Sequence, residues 1–552
     1  MVIGLDGATL DLIRPWAEQG ELPTFKKLMQ SGAYGTLRTI RPPITPTAWS
    51  SFLTGTNPGK HGLFDFTGHK KNSYETYVAN ASHRHGPSVW RLLSEAGYRV
   101  VVFNVPLTYP VEQVNGAMIS GLSTPASAKD ASWPRELQAE VEKAIPEFNF
   151  APPGMFSPGQ ELQFVQDVRS LIQTNLKVTR YLMNRQPWDF LVSIFMSSDI
   201  MSHFMWRNME TGAAAYPESM RATLANAIKD CYRDLDHAVG ELIREVGEDT
   251  NVVIMSDHGF GPMESYMSVN AWLIERGYIQ FKRNPLSQLR YLLYRLGFTP
   301  LNFYGFLRKL GLGNTMRSQV RKNTTIIQRV NRNLFLSFRD VDWSRTRAYS
   351  NGYSGPVFVN LKGREPQGIV AAGAEYDRVL EQLIADLKQL KEPGTDQPFV
   401  GEVYRGKELY HGDHMEQSPD LLFFPRDWKY AGLGLVEFPT NRWLSPSPDR
   451  SGHHRMDGIV FLSGPGIRAS QIQDASIMDI TPTVLALMGV PIPESMDGRV
   501  LESAMLQDLQ RQLTVTYTHG NGAEAEAIPV PELSAQDEEI IRTRLQNLGY
   551  ID

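Results

Sequence analysis

The sequence predicts an α/β protein with a mostly parallel central sheet. Short apolar runs alternate with segments of helical periodicity along the 552-residue chain, which is typical of strand–helix–strand units. Several of these runs end directly before a carboxylate, an amide or a small residue. That pattern is expected where parallel strands bring side chains to one edge of a sheet.

Five apolar runs are interpreted as strands of this sheet: Val2–Leu5, Val100–Phe103, Phe190–Phe195, Asn251–Met255 and Ile459–Leu462. Four intervening segments are predicted to be helices: Leu22–Ser31, Ser88–Ala96, Ser170–Asn184 and Ala222–Val246. Pro23 near the start of the first helix and Gly97 after the second are the expected boundary residues.

Composition excludes several classes of protein. With 55 basic and 60 acidic residues the net charge is −5, so no stable nucleic-acid partner is expected. The single cysteine, Cys231, excludes a disulfide framework, a cysteine-rich zinc module and an iron–sulfur cluster. No apolar run approaches the ~18–20 residues that span a bilayer, and the first residues show no signal-peptide pattern. A cytoplasmic location is therefore expected.

The segment 282–347 differs from the rest of the chain. Its fourteen basic and two acidic residues give it a charge of +12, which leaves −17 for all other residues. It is also rich in leucine, tyrosine and phenylalanine, and we interpret it as a basic helical insertion. Two interpretations stay open. The insertion is either a helical cap with solvated or paired arginines, or a basic lid that attracts an anionic substrate or rests on anionic lipid as a peripheral membrane contact.

These features suggest four divisions of the chain. Residues 1–281 form the first part of a core, with region 66–187 decorating it, and 282–347 form the insertion. Residues 348–510 form the second part of the core, and 511–552 form a linker and a C-terminal helix.

Two motifs near the start of the chain carry candidate functional groups. Asp6, in Gly-Leu-Asp-Gly, follows the first predicted strand. The segment from Pro42 to Gly55 places Thr45 and Thr47 where an extended, proline-flanked stretch leads into a helix. A hydroxyl at such a position lies near helix-terminal amides, which favour a nearby anion.

Two further motifs carry candidate metal ligands. Asp199 and His203 are four residues apart, so they share one face of a helix. Asp257 and His258 follow another predicted strand, and a final pair of histidines, His453 and His454, precedes the last strand. Oxygen and nitrogen ligands without thiolate suit zinc, manganese or similar ions. Together the motifs fit two divalent ions roughly 4 Å apart at a phosphoryl-transfer site.

This ordered set of motifs resembles the alkaline phosphatase superfamily, specifically its type I phosphodiesterase/nucleotide pyrophosphatase family and the prokaryotic cytoplasmic branch that begins Ile-Gly-Leu-Asp-Gly. The resemblance covers residues 1–65, 86–125, 188–275 and 343–505. It implies a three-layer α/β/α sandwich with helical insertions. It also implies two divalent ions as cofactors, zinc first and manganese as the alternative.

The resemblance also implies roles for individual residues. Thr45 would be the nucleophile that forms a phospho-threonine intermediate, and the family spacing favours it over Thr47. The family register likewise favours His454 over His453. One metal ion would be held by Asp199, His203 and His454, and the other by Asp6, Asp257, His258 and the Thr45 oxygen.

The sequence departs from the family at one position. Where nucleotide pyrophosphatases carry an asparagine that contacts a phosphoryl oxygen, this chain has Phe66, preceded by Asp65. Asp65, Asn104, Thr108 and Arg455 are the residues that we expect to contact substrate.

The sequence thus predicts a two-metal phosphohydrolase, of the phosphodiesterase/nucleotide pyrophosphatase type, acting on a phosphoester that is anionic or lipid-linked. A phosphomonoesterase or phosphotransferase on the same metals is the first alternative. A catalytically silent protein that binds membranes or polyanions is the second.

Overall fold

A computed structural model describes residues 1–125, 127–150, 156–309, 334–447, 449–512, 516–518 and 534–548. Within the predicted linker and C-terminal helix at 511–552, residues 519–533 lie outside the described residues, as does part of the basic insertion, 310–333. Within the described residues, no helix is both long and apolar enough to cross a membrane.

The centre of the molecule is a nine-stranded sheet. Its strands, in spatial order, are Ser470–Ser476, Ala33–Arg38, Asp457–Ser463, Val252–Met255, Val2–Leu5, Phe190–Phe195, Val100–Val105, Gly116–Ser120 and Ser132–Trp133. The five adjacent strands from 252–255 to 116–120 are all parallel. They are almost fully buried, which explains why they are nearly continuous apolar runs in the sequence. The predicted α/β class with a mostly parallel sheet is confirmed.

Helices pack on this sheet in two groups, as expected for a three-layer sandwich. One group comprises Leu10–Glu18, Pro23–Ser31, Glu161–Arg185, Ser197–Thr211 and Glu218–Val246. The other comprises Thr45–Thr54, Val89–Glu95 and Ile480–Leu487. Further helices are Pro58–His61, Leu137–Ala144, Gln507–Gln512 and Ala535–Leu548, with short 3-10 turns at Ala81–His83, Ile477–Asp479 and Glu502–Ala504.

A second hydrophobic core lies between residues 267 and 438 and is separate from the core around the central sheet. It is built on a four-stranded sheet (Ala348–Ser350, Val357–Val359, Leu421–Pro425, Val400–Arg405) and a three-stranded sheet (Tyr430–Leu433, Ser265–Ser268, Leu444–Pro446). The helices Val269–Glu275, Pro285–Arg295 and Ala374–Lys388 contribute buried residues to this core. The same part of the chain also contains the helices Pro300–Lys309 and Gly406–Leu409 and the 3-10 turns Phe338–Asp340 and Met415–Gln417.

Three short strand pairs complete the fold. They are Thr67–His69 with Thr76–Val78, Gly259–Pro262 with Gly452–Arg455, and Ile492–Pro493 with Tyr517–Thr518. In the second of these pairs, the strand 259–262 begins directly after the candidate metal ligands Asp257 and His258, and the strand 452–455 contains the candidate His454.

His61 supports the helix Thr45–Thr54 through a contact with Ser51. It is fully buried, with its Nε2 atom 3.0 Å from Ser51 Oγ, and its Nδ1 atom accepts a hydrogen bond from the Leu63 amide. Because Nδ1 accepts, the neutral ring carries its proton on Nε2 and donates it to Ser51. Burial, with a smaller effect from Arg84, lowers the pKa of His61 to about 3.

We expect this histidine to make the fold sensitive to acid. Since its pKa is about 3 in the folded chain and 6.5 as its ordinary value, its stabilising contribution is complete above pH 6.5 and is lost as the pH falls towards 3. The free energy of unfolding should fall by about 1 kcal/mol per pH unit from this residue. Denaturant titrations between pH 6.5 and 5 check this: His61→Gln should show a shallower pH dependence than the wild type at equal metal content. Equal slopes would show that His61 plays no such part.

Candidate active site

Three neighbouring parallel strands bring the first ligand candidates together. Asp6 follows the strand Val2–Leu5, and Asp257 and His258 follow the adjacent strand Val252–Met255. On the other side of Val2–Leu5, the strand Phe190–Phe195 leads into the helix Ser197–Thr211, whose first turns carry Asp199 and His203. All these side chains therefore meet at the carboxyl edge of the sheet, where open α/β sheets bind ligands.

His454 reaches the same place through the antiparallel ribbon. In this ribbon His454 pairs with Phe260, two residues beyond His258. The His454 ring consequently stacks on the His258 ring, with centroids 3.7 Å apart. The ligand candidates from the first and second halves of the chain thus form one cluster, and every one of them is fully buried.

The ligand atoms converge on two overlapping groups. Around His258 Nε2 lie Asp257 Oδ2 at 3.3 Å, Asp6 Oδ1 at 3.7 Å and Asp199 Oδ1 at 3.9 Å. His454 Nε2 lies 3.3 Å from Asp199 Oδ1. Asp6, Asp257 and His258 form one group that matches the spacing of a metal site, and Asp199, His258 and His454 form the other.

His203 extends the second group. Its Nε2 atom lies 3.1 Å from His454 Nε2 and 3.5 Å from Asp199 Oδ1. In each of the three histidines, Nδ1 faces a backbone carbonyl oxygen: that of Gly452 for His203, of Gly259 for His258 and of Pro43 for His454. Nδ1 must therefore hold the proton, which leaves Nε2 with its lone pair directed into the cluster.

The carboxylates are oriented in the same way. Trp49 Nε1 donates to Asp6 Oδ2 at 2.9 Å, and the Gly7 amide donates to Asp257 Oδ1 at 3.2 Å. The second oxygens, Asp6 Oδ1 and Asp257 Oδ2, are buried without a hydrogen-bond partner among the described residues. Such oxygens are costly unless a cation compensates them. Together with the imidazole lone pairs, they fit divalent metal ions.

The protonation equilibria lead to the same conclusion. Burial, followed by repulsion from the neighbouring carboxylates, raises the pKa of Asp6 and that of Asp257 well above their ordinary value. Burial also lowers the pKa of His258 and that of His454 to about 3, so both rings are neutral at physiological pH. A cluster of neutral imidazoles and mutually repelling carboxylates is stabilised by bound cations.

Thr45 lies at the edge of this cluster. It is the first residue of the helix Thr45–Thr54, follows the extended Ile44, and is fully buried. Its Oγ1 atom lies 3.5 Å from His258 Nε2. The Thr47 hydroxyl is also buried, but it has no hydrogen-bond partner among the described residues, the ligand candidates included.

His453 occupies a different position from His454. Neighbouring residues of a strand point to opposite faces, so only one of the two can turn towards His258. His453 is in neither of the two groups, and its Nδ1 atom has no hydrogen-bond partner within the described chain.

The four expected substrate contacts have structural partners. Asp65 accepts hydrogen bonds from the amides of Phe66 and Tyr353, and burial raises its pKa to about 7. Asn104 donates to the Ile194 carbonyl, and Thr108 donates to that of Val105. Arg455 donates to the carbonyls of His453, His454 and Pro262. Substrate contact by these four residues stays a prediction.

Two residues that the sequence did not single out also adjoin the cluster. Tyr353, which packs with Ile44 and Leu433, has its ring centroid 6.2 Å from that of His454. Arg450 is buried and donates from Nη1 to the Tyr353 hydroxyl at 3.0 Å. Its charge contributes to lowering the pKa of His203 and that of His454, although burial is the larger cause for both.

Comparison with known proteins gives a family and several structural similarities. Mouse ectonucleotide pyrophosphatase/phosphodiesterase 5, an inactive variant in complex with AMP, is 11% identical; the match covers 92% of this chain and 99% of that one, with a TM-score of 0.48. Phosphonoacetate hydrolase from Sinorhizobium meliloti, in complex with phosphonoformate, is 12% identical over 87% of this chain and 93% of that one, with a TM-score of 0.49. No curated protein sequence matches the chain.

The family assignment comes from the sequence itself. Residues 1–432 match the model of the type I phosphodiesterase/nucleotide pyrophosphatase family. This range includes Thr45 and every ligand candidate except the pair His453 and His454, which lies beyond it. The chain therefore belongs to the type I phosphodiesterase/nucleotide pyrophosphatase family, a metal-dependent family of phosphoester hydrolases, and is itself an enzyme of this class.

Proposed function

We propose that the protein is a two-metal phosphodiesterase that acts through a covalent phospho-threonine at Thr45. The observation that carries this proposal is the buried cluster itself, in which the Thr45 hydroxyl lies beside two overlapping groups of oxygen and nitrogen ligands. One metal ion would be held by Asp199, His203 and His454, and the other by Asp6, Asp257, His258 and the Thr45 oxygen. Zinc is the first candidate ion and manganese the second.

Such a pair of ions, when bound, would neutralise charge on the phosphoryl group and favour ionisation of a hydroxyl beside it. The chain's own residues do the rest. Thr45 loses its proton to solvent, and its oxygen forms a bond to phosphorus while the bond from phosphorus to the ester oxygen breaks. The ester oxygen departs with its bonding electrons and takes up a proton from solvent. Water then attacks the same phosphorus, and the bond from phosphorus to the Thr45 oxygen breaks. One proton of this water returns to the Thr45 oxygen, and the other leaves with the phosphate or passes to solvent.

The position of Thr45 supports the attack. At the first turn of its helix, the helix dipole favours negative charge on the threonine oxygen and on the phosphoryl group. Trp49, one turn further along, holds Asp6 through its indole N–H. Since the side chains of the cluster are buried, these electrostatic interactions act at a lower dielectric than in bulk water and are correspondingly stronger.

A comparison of two nitrophenyl esters tests the proposal. Protein with defined zinc or manganese content should hydrolyse bis-nitrophenyl phosphate, a diester, with a kcat/KM at least about tenfold above that for nitrophenyl phosphate. Chelated protein should hydrolyse neither ester. If metal-loaded protein shows no turnover of any phosphoester, the proposed function is wrong.

One observation favours a phosphomonoesterase or phosphotransferase as the second candidate. Arg450 places a buried positive charge beside the histidines of the cluster, and such a charge would suit a dianionic phosphoryl group. A preference for the monoester in the same assay, lost in Arg450→Gln but retained in Arg283→Gln on the surface, would establish this alternative.

A further inference from the structure

Exposed apolar side chains are concentrated on one part of the basic insertion. Among the described residues, seven of the eleven large hydrophobic side chains that are exposed lie between 286 and 334. Six of them lie on or beside the helices Pro285–Arg295 and Pro300–Lys309: Leu286 (56% exposed), Leu289 (52%), Leu292 (54%), Leu296 (75%), Leu301 (44%) and Phe306 (59%). We call these six residues the leucine face.

The orientation of the first helix explains this exposure. Leu286, Leu289, Leu292 and Leu296 are spaced three or four residues apart, so they share one side of the helix. The opposite side is anchored to the second core. Ser287 and Arg290 both donate to Asp340 Oδ1, at 2.7 and 2.9 Å, and Tyr294 donates to the Thr440 carbonyl at 2.9 Å. Because these contacts fix the opposite side of the helix against the second core, the four leucines face the solvent.

Along the sequence, the charges in and around the leucine face are positive, and the carboxylate of Asp340, which contacts the first helix, is buried. Residues 282–339 contain twelve basic residues and no acidic residue. Lys282, Arg283 and Arg295 are exposed next to the first helix. The partner must therefore be negatively charged and must also accept apolar side chains.

We propose that the leucine face rests on the surface of a lipid bilayer that contains anionic lipid. An amphipathic helix with leucines on one side and arginine or lysine at its borders inserts at the headgroup boundary, where both kinds of side chain are accommodated. A second copy of this chain fits less well, because it would bring two strongly basic surfaces together. The segment 310–333 also fits less well, since its five charged residues are all basic.

Vesicle flotation with the full, metal-loaded chain tests this docking. The wild type should float with phosphatidylcholine vesicles that contain phosphatidylglycerol, and not with pure phosphatidylcholine, and raised salt should weaken the binding. The pair Leu289→Asn and Leu292→Asn should lower the partition coefficient at least about tenfold. The pair Arg283→Gln and Arg295→Gln should lower it by about fivefold per charge.

Matched controls keep the result specific. Leu506→Asn, at a comparably exposed leucine outside the insertion, should bind as the wild type does. Since all these side chains are exposed, every variant should unfold at the wild-type temperature and retain its turnover of a small ester in solution. The proposal is overturned if the wild type does not bind anionic vesicles or if the leucine pair binds equally well. It is also overturned if the pair merely converts a dimer to a monomer in sedimentation. Because the readout is binding, it does not depend on the proposed catalytic function.

Discussion

Thr45→Val is expected to reduce phosphoester hydrolysis by roughly 10⁴-fold or more, as losing the nucleophile does in other covalent hydrolases. Valine keeps the shape of threonine and removes only the oxygen that lies 3.5 Å from His258 Nε2. The fold should therefore be preserved while the attacking atom is lost. Steady-state kcat at fixed metal content measures the effect.

Thr47→Val is the matched control, since Thr47 is buried in the same helix two residues further on. It should retain kcat within about tenfold, because its hydroxyl has no partner in the described site. Mass spectrometry of acid-quenched turnover mixtures should locate phosphate on Thr45 in the wild type. A phosphate on Thr47, or full activity of Thr45→Val, would disprove the assignment of Thr45.

Much of the central sheet could be predicted from the sequence for a simple physical reason. Strands buried on both faces have to be apolar throughout, so Val2–Leu5 and Phe190–Phe195 are observed with their predicted bounds. The strand Ala33–Arg38, the second from one edge of the sheet, was not predicted, because its alternate residues are partly exposed and its apolar pattern is weak. The separate second core was not predicted either, since three of its seven strands, such as Ala348–Ser350, are only three residues long.

The candidate site likewise contains residues that local sequence motifs predict and residues that only the tertiary fold brings in. Its ligand candidates follow strand ends or share a helix turn, so short motifs around Asp6, Asp199 and Asp257 were enough to find them. The place of Trp49 beside the site could have been predicted, because it lies one helical turn after Thr45. Tyr353 could not be found in this way, because its partners are distant in the sequence. It meets Asp65 across 288 residues and Arg450 across 97, and only the tertiary fold brings these residues together.

Chelation is expected to lower the unfolding temperature by about 10 °C or more, because two tightly bound ions would each contribute several kcal/mol to the folded state. The loss of stability caused by metal removal should increase with pH. Asp6 and Asp257 have pKa values raised well above normal without metal, so the metal-free folded chain binds protons that the unfolded chain releases. Stability from these groups is therefore lost as the pH rises from about 4 towards their folded pKa values. Scanning calorimetry with zinc and with chelator, at pH 6.5 and at pH 8, measures both effects.

Asp257→Asn separates metal binding from packing. Asparagine can still accept the hydrogen bond from the Gly7 amide, but it removes one of the buried, mutually repelling carboxylates. The variant should therefore be at least as stable as the wild type when both are metal-free, and less stable when both are supplied with zinc. This crossing of stabilities is the signature of a carboxylate kept for a cation, because a residue kept for packing would destabilise both forms alike. If Asp257→Asn lowers both unfolding temperatures equally and chelation has no effect on the wild type, the cluster does not bind metal.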